Sequence, residues 1–203
     1  KAIAPLDAGS IVRGQFRGYR DEEGVAPTSK VETYAALRLE INSWRWQGVP
    51  IYIRAGKNLP VTCSEVFVKF CRPPMTYSSA NLVPNYLRFR LNPDITIALG
   101  TMVLDHDAPL SGHLAELLAF HRPTSDEMGP YERLLGEAMK GDATNFARED
   151  YVEEAWRIVE PVLGGVTPLF FYRPQTWGPI EAGLVIADAG GWHNPDLTPP
   201  STA

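Results

Sequence analysis

Two cysteines and four histidines in 203 residues leave little for thiol or metal chemistry to be built from. Cys63 and Cys71 fall in one strand-like stretch, and eight residues of extended chain would hold them about 26 Å apart, too far to bridge. Free thiols are the expectation, and with them a reducing cytoplasm. None of His106, His113, His121 or His193 pairs with a cysteine at ligand spacing, so no metal site is expected. No apolar run approaches the roughly 20 residues that span a bilayer, and no signal-peptide pattern opens the chain. Positive charge is in deficit: 19 Lys and Arg against 24 Asp and Glu give a net charge of −5. That balance argues against a nucleic-acid or anionic-membrane partner. Internal repeats and low-complexity segments are also lacking. What is present, 44% apolar and 21% charged residues, suits one large domain with its own core. The chain opens Lys1-Ala2-Ile3-Ala4-Pro5-Leu6 without an initiating Met, as a piece cut from a longer protein would.

Residues 11–20 carry two glycines in a short span and read as a loop or irregular edge strand. Residues 21–30 read as an exposed loop. From Thr33 the period becomes two: Ala35, Leu37, Leu39 and Ile41 share a face, with Ala36, Arg38, Glu40 and Asn42 opposite. Ile51 and Ile53 repeat the pattern, as do Val66, Val68 and Phe70, then Leu87, Phe89 and Leu91. Ile95 and Ile97 follow a turn signal at Asn92-Pro93-Asp94. About five strands without intervening helices predict an antiparallel sheet, not βαβ units. After residue 110 the spacing of Leu114, Leu117 and Leu118 predicts a helical stripe. Pro130 suits a first helical position, and Tyr131, Leu134, Leu135 and Ala138 form an i, i+3, i+4, i+7 stripe ending at Gly141. Asp150 and Glu153 resemble a capping box before Val152, Ala155, Trp156 and Val159. The tail from Gly164 is predicted to be mostly irregular. The expected fold is α+β, a large mainly antiparallel sheet with helices packed at one end or face.

The most informative stretch is Trp44-Arg45-Trp46-Gln47-Gly48-Val49-Pro50-Ile51-Tyr52-Ile53-Arg54-Ala55-Gly56-Lys57. A short alternating strand ends at a glycine, which hands over to a lysine. A cation there stands on rigid backbone yet reaches solvent, as suits gripping a small anion such as a phosphate ester. Taken singly, Lys57 would merely solvate a turn. The stretch, however, closely resembles the segment of glucose-6-phosphate dehydrogenases written RWxGVPFxLRxGK. Val12-Arg13-Gly14-Gln15-Phe16-Arg17-Gly18-Tyr19 resembles the same family's VRGQYxGY, and Val31-Glu32-Thr33-Tyr34-Ala35-Ala36 its TETFAA. Tyr131-Glu132-Arg133-Leu134-Leu135 with Ala138-Met139-Lys140-Gly141-Asp142 is similar to YERLLLDAMxGD. Glu154-Ala155-Trp156-Arg157 and Trp177-Gly178-Pro179-Ile180-Glu181-Ala182 are similar to EAWR and WGPxEA.

The resemblance implies a domain of an enzyme that oxidises the C1 hydroxyl of glucose 6-phosphate to a lactone with NADP, in the pentose phosphate pathway. Residues 1–203 would be its single C-terminal substrate and dimerisation domain. No Gly-rich Rossmann turn is present, nor the family's HYLGK segment, nor the segment carrying its catalytic His. No catalytic residue is therefore carried onto this chain, and the fragment alone is expected to be inactive. The resemblance makes Lys57 a ligand of the substrate's phosphate or hydroxyls. Five residues on, the family usually has a second cation; Thr62 stands there, able to hydrogen-bond a phosphate oxygen but without charge. Asn92 aligns with a family Gln that contacts the sugar. Arg54 and Arg90 match positions that hold a second, structural dinucleotide in some members; the plainer reading is a cross-strand pair with Glu65 or Glu40. Trp44 and Trp46, two apart, would share a strand face. Glu137 with Asp142, and Arg148-Glu149-Asp150, read as solvated helix ends. A homodimer or homotetramer through the sheet is expected. The competing reading is a non-catalytic homologue that serves as an assembly or regulatory module for a dehydrogenase.

Overall fold

The computed structural model describes residues 1–72, 83–105, 112–120 and 128–196. Among these residues ten elements carry the fold: β1 (Ile11–Phe16), β2 (Tyr34–Glu40), β3 (Pro50–Gly56), β4 (Ser64–Lys69), β5 (Tyr86–Asn92), β6 (Thr96–Leu104), β7 (Gly112–Phe120), α1 (Pro130–Lys140), α2 (Glu149–Val159) and β8 (Leu169–Tyr172). A 3₁₀ run over Ile180–Ala189 follows. The class is α+β and mainly antiparallel, with the strands divided between two four-stranded sheets. The chain forms two compact units, Lys1–Pro60 with Met128–Asn194, and Val61–Glu127 with Pro195–Ala203.

The first unit holds the sheet β3-β2-β1-β8, antiparallel except where β8 joins β1 in parallel. The two glycines of residues 11–20 made β1 look like a loop or edge; it is an interior strand. Gly14 suits the crowding there, because a Cβ would stand 3.2 Å from both the Pro179 ring and Tyr34 Cβ and its neighbours would have to give by a few tenths of an ångström. The core gathers Phe16, Tyr34, Ala36, Tyr172, Ala182 and Val185. Its rings meet at an angle, with Phe16–Tyr172 centroids 6.4 Å and Tyr34–Tyr172 centroids 5.5 Å apart. Trp44 and Trp46 lie on a turn, not a strand, and Trp44 is 97% exposed.

Helix α1 begins at Pro130 and ends on left-handed Gly141, as its signals require. Helix α2 has no capping box: Arg148 occupies the cap without a side-chain bond, and Asp150 instead pairs with Arg148 at 2.8 Å. Neither helix buries a residue. Tyr131 (83%), Leu135 (67%) and Met139 (89%) leave an open apolar stripe on α1, and Val152 and Trp156 are exposed on α2.

The second unit is an antiparallel meander, β4-β5-β6-β7. Residues 112–120 form a strand, not the helical stripe that Leu114, Leu117 and Leu118 suggest. Apolar side chains occur on both faces of β7, which hides the period of two. One face of this sheet carries Glu65, Arg88, Arg90 and Glu116; the other carries Val66, Val68, Leu87, Phe89, Ile97, Leu99 and Leu117. His106 and His121 lie outside the described residues.

Candidate sugar-phosphate site

Lys57 follows directly on edge strand β3, whose last register pair with β2 is Tyr34–Gly56. Gly56 is dictated by packing, since a Cβ would stand 2.7 Å from Tyr34 Cδ2. Beyond the ladder, three bonds fix the backbone. The Lys57 N–H donates to the Thr33 carbonyl at 2.8 Å, and the Tyr172 hydroxyl donates to the Lys57 carbonyl at 2.7 Å. The Gln175 N–H donates to the Asn58 carbonyl, also at 2.7 Å, while Asn58 itself takes a left-handed φ of 51°. The Lys57 side chain is exposed, and its ammonium makes no ion pair among the described residues. A fixed main chain with a free cationic head is an arrangement suited to gripping an anion.

Thr62 and Asn92 belong to the second unit. Thr62 is exposed and lies two residues before β4; Asn92 ends β5 opposite Ser64, the first residue of β4, and its amide donates to the Ser64 hydroxyl at 3.4 Å. Both polar side chains thus stand at the same end of that sheet.

Arg54 lies with its guanidinium carbon 4.6 Å from the Trp177 ring centroid and 5.0 Å from that of Trp192. It donates to the His193 carbonyl at 3.0 Å and to Asn194 Oδ1 at 2.9 Å. Sequence spacing could not reveal this stack, because its members are over 120 residues apart. Arg90 pairs across the ladder with Glu65 at 3.0 Å, and Arg88 joins Glu116 at 2.9 Å. The Glu65 side chain is 3% exposed. Burial, helped by a hydrogen bond to Glu116, pushes the Tyr86 hydroxyl up to about 12. Burial likewise raises Tyr34 to about 12 against the pull of Arg54.

The first motif's Arg13 and Gln15 are buried and hold the 29–32 segment. Arg13 reaches Glu32 at 2.8 Å and the Thr167 carbonyl at 3.2 Å; Gln15 donates to the Val31 carbonyl at 2.8 Å. Of the other histidines, His113 bonds Asp105 at 2.6 Å. Neither cysteine forms a disulfide, and no cluster able to hold a metal ion occurs among the described residues.

A similar mainly antiparallel α+β domain occurs as part of larger dehydrogenases. The crystal structure of a glucose-6-phosphate 1-dehydrogenase from Mycobacterium avium matches 98% of this chain and 43% of its own length, with TM-score 0.87 and 39% identity. A glucose-6-phosphate dehydrogenase solved in complex with its substrate glucose-6-phosphate matches 96% of this chain and 43% of its own, with TM-score 0.77 and 27% identity. Among curated proteins, glucose-6-phosphate 1-dehydrogenase 1 of Mycobacterium tuberculosis is 40% identical over 200 residues, spanning 97% of this chain and 42% of the relative. That of Aggregatibacter actinomycetemcomitans is 41% identical over 199 residues, 93% of this chain and 39% of the relative. The family described as glucose-6-phosphate dehydrogenase, C-terminal domain, matches residues 1–193. The chain belongs to the glucose-6-phosphate dehydrogenase family, as its C-terminal domain. It spans about two fifths of the length of these relatives.

Proposed function

We propose that this chain is the substrate and dimerisation domain of a longer enzyme that oxidises glucose 6-phosphate to 6-phosphogluconolactone with NADP, in the pentose phosphate pathway. The observation that carries it is Lys57: an exposed cation on a backbone fixed at both of its peptide groups, inside the family's motif. Lys57 binds the substrate's phosphate, and Thr62 and Asn92 contribute neutral hydrogen bonds to phosphate and sugar. NADP is held by the part of the enzyme outside this chain, which also supplies the base that takes the C1 proton.

The open apolar stripes of α1 and α2 support packing against further polypeptide. The apolar face of the second sheet supports a homodimer or homotetramer assembled through it. Arg54 and Arg90 are assigned to the fold. A second dinucleotide would have to displace Asn194 from one and Glu65 from the other, so no cofactor role is built on them. That Cys63 and Cys71 form no disulfide suits a cytoplasmic site of action, and no helix among the described residues is long and apolar enough to cross a membrane.

The test compares glucose 6-phosphate oxidation by the full-length gene product with its Lys57→Ala variant. A KM raised about tenfold or more is expected. Activity with an unchanged KM would remove Lys57 from the site, and an inert full-length protein would favour a non-catalytic assembly module.

A further inference from the structure

We propose that Tyr172 is a positioning residue for Lys57, acting through the main chain and not through the substrate; this rests on the reading of Lys57 as a phosphate ligand. Tyr172 closes strand β8, and its hydroxyl is tied to the chain around Lys57. The bonds form a directed relay. The Phe16 N–H donates to Thr33 Oγ1 at 3.0 Å, the Thr33 hydroxyl faces the Tyr172 hydroxyl at 3.2 Å, and the Tyr172 hydroxyl donates to the Lys57 carbonyl at 2.7 Å. Each hydroxyl then gives one proton and accepts another, so neither is left unpaired in the core.

The position of this relay sets its purpose. The β2–β3 ladder ends at the Tyr34–Gly56 pair, and β3 is an edge strand, so the chain beyond it has no neighbour on one side. Unsupported, Lys57 would stand at a fraying strand end. Tyr172 fastens its carbonyl from a different strand, and Gln175, three residues further along, fastens the next carbonyl at Asn58. The lysine stem is long and flexible, so the place of its Cα decides the volume its ammonium can sweep. A site displaced by even about 1 Å loses much of its binding advantage. The Tyr172 ring packs against Phe16 and Tyr34, so the phenol arrives at the site from the rigid centre of the unit.

The test is a double-mutant cycle on the full-length gene product, reading KM for glucose 6-phosphate, kcat and thermal unfolding. Tyr172→Phe keeps the ring packing and removes only the hydroxyl. It is expected to raise KM about fivefold, the effect of one lost hydrogen bond, with kcat changed less than about twofold. In the Lys57→Ala background the same substitution should leave KM within about twofold. A merely structural tyrosine would act equally in both backgrounds, and equal factors would overturn the proposal. So would a KM unmoved by Tyr172→Phe where Lys57→Ala alone raises it. A KM unmoved by Lys57→Ala removes the phosphate reading itself and the positioning role with it.

Discussion

Gly178 lies over the ring of Tyr34 so closely that a Cβ would stand 2.3 Å from Cε2. Gly56 approaches the same ring from the neighbouring strand. Three motif segments far apart in the chain therefore share one packing requirement: a tyrosine flanked by two positions without side chains. Gly178 also has φ of 100°, as does Gly18 nearly, at 102°, but a Cβ at Gly18 meets nothing within 4 Å. Gly18→Ala is expected to cost about 1 kcal/mol, the backbone strain alone. Gly178→Ala adds overpacking and is expected to cost about 3 kcal/mol or more. Urea unfolding of the two variants side by side measures the difference, and equal losses would sink the packing account.

Acid should act partly through Glu32. Burial pushes its carboxyl up, but the hydrogen bond from Arg13, a backbone hydrogen bond and the charge of Arg13 together outweigh this and hold it below its ordinary 4.5. A carboxyl lowered in the folded state contributes stability that is complete above pH 4.5 and lost as pH falls through the folded value. Glu32→Gln should therefore show a shallower decline of the urea midpoint with pH below 4.5 than the wild type. Parallel declines would show that the Arg13 pair carries none of the acid sensitivity.

At the alkaline end the sign reverses. Tyr34 and Tyr86 are raised from 10 to about 12, chiefly by burial. Their neutral forms favour folding below pH 10, and that contribution is lost as pH climbs from 10 through 12. Among eight tyrosines, ultraviolet titration of tyrosinate should show a late phase. Tyr34→Phe and Tyr86→Phe should each remove part of it. A single phase near pH 10 would contradict both assignments.

The apolar face of the second sheet gives a prediction about assembly. Leu117, 65% exposed, faces the same way as Leu87 and Leu99 on neighbouring strands. If two copies meet through this face, Leu117→Asp buries an unpaired carboxylate at the interface and should yield monomers. Light scattering with chromatography reads the mass directly. Retention of the wild-type mass would place the contact elsewhere.

Strands β2 to β6 were legible from the alternation of their apolar residues, as in Ala35, Leu37 and Leu39, but the face each buries was not: on β2 the buried residues are Tyr34 and Ala36, on the opposite face, and on β4 Val66 and Val68 stay exposed. β7 was not legible, since leucines on both of its faces imitate a helical stripe. β1 was masked by Gly14, whose role depends on Pro179 and Tyr34 folding over it. Lys57 could be found from its local motif, a strand followed by Gly and Lys. Its clamp could not, because Thr33, Tyr172 and Gln175 reach it only through tertiary pairing of strands distant in sequence. The same holds for Arg54: charge and strand position suggested an ion pair, while the fold supplies two indole faces from the tail.

The parallel pairing of Arg13 with Leu169 imposes a timetable on synthesis. A ribosome delivers β1 before its β8 partner, which follows only after the whole of β4 to β7 has emerged. At roughly 5–20 residues per second the wait lasts on the order of 8–30 s. The meander β4-β5-β6-β7 pairs each strand with its neighbour in sequence and can close during that interval. Nascent chains should therefore carry a finished inserted sheet while β1 still offers an unpaired edge, which makes the arrival of β8 the step that completes the earlier-made half.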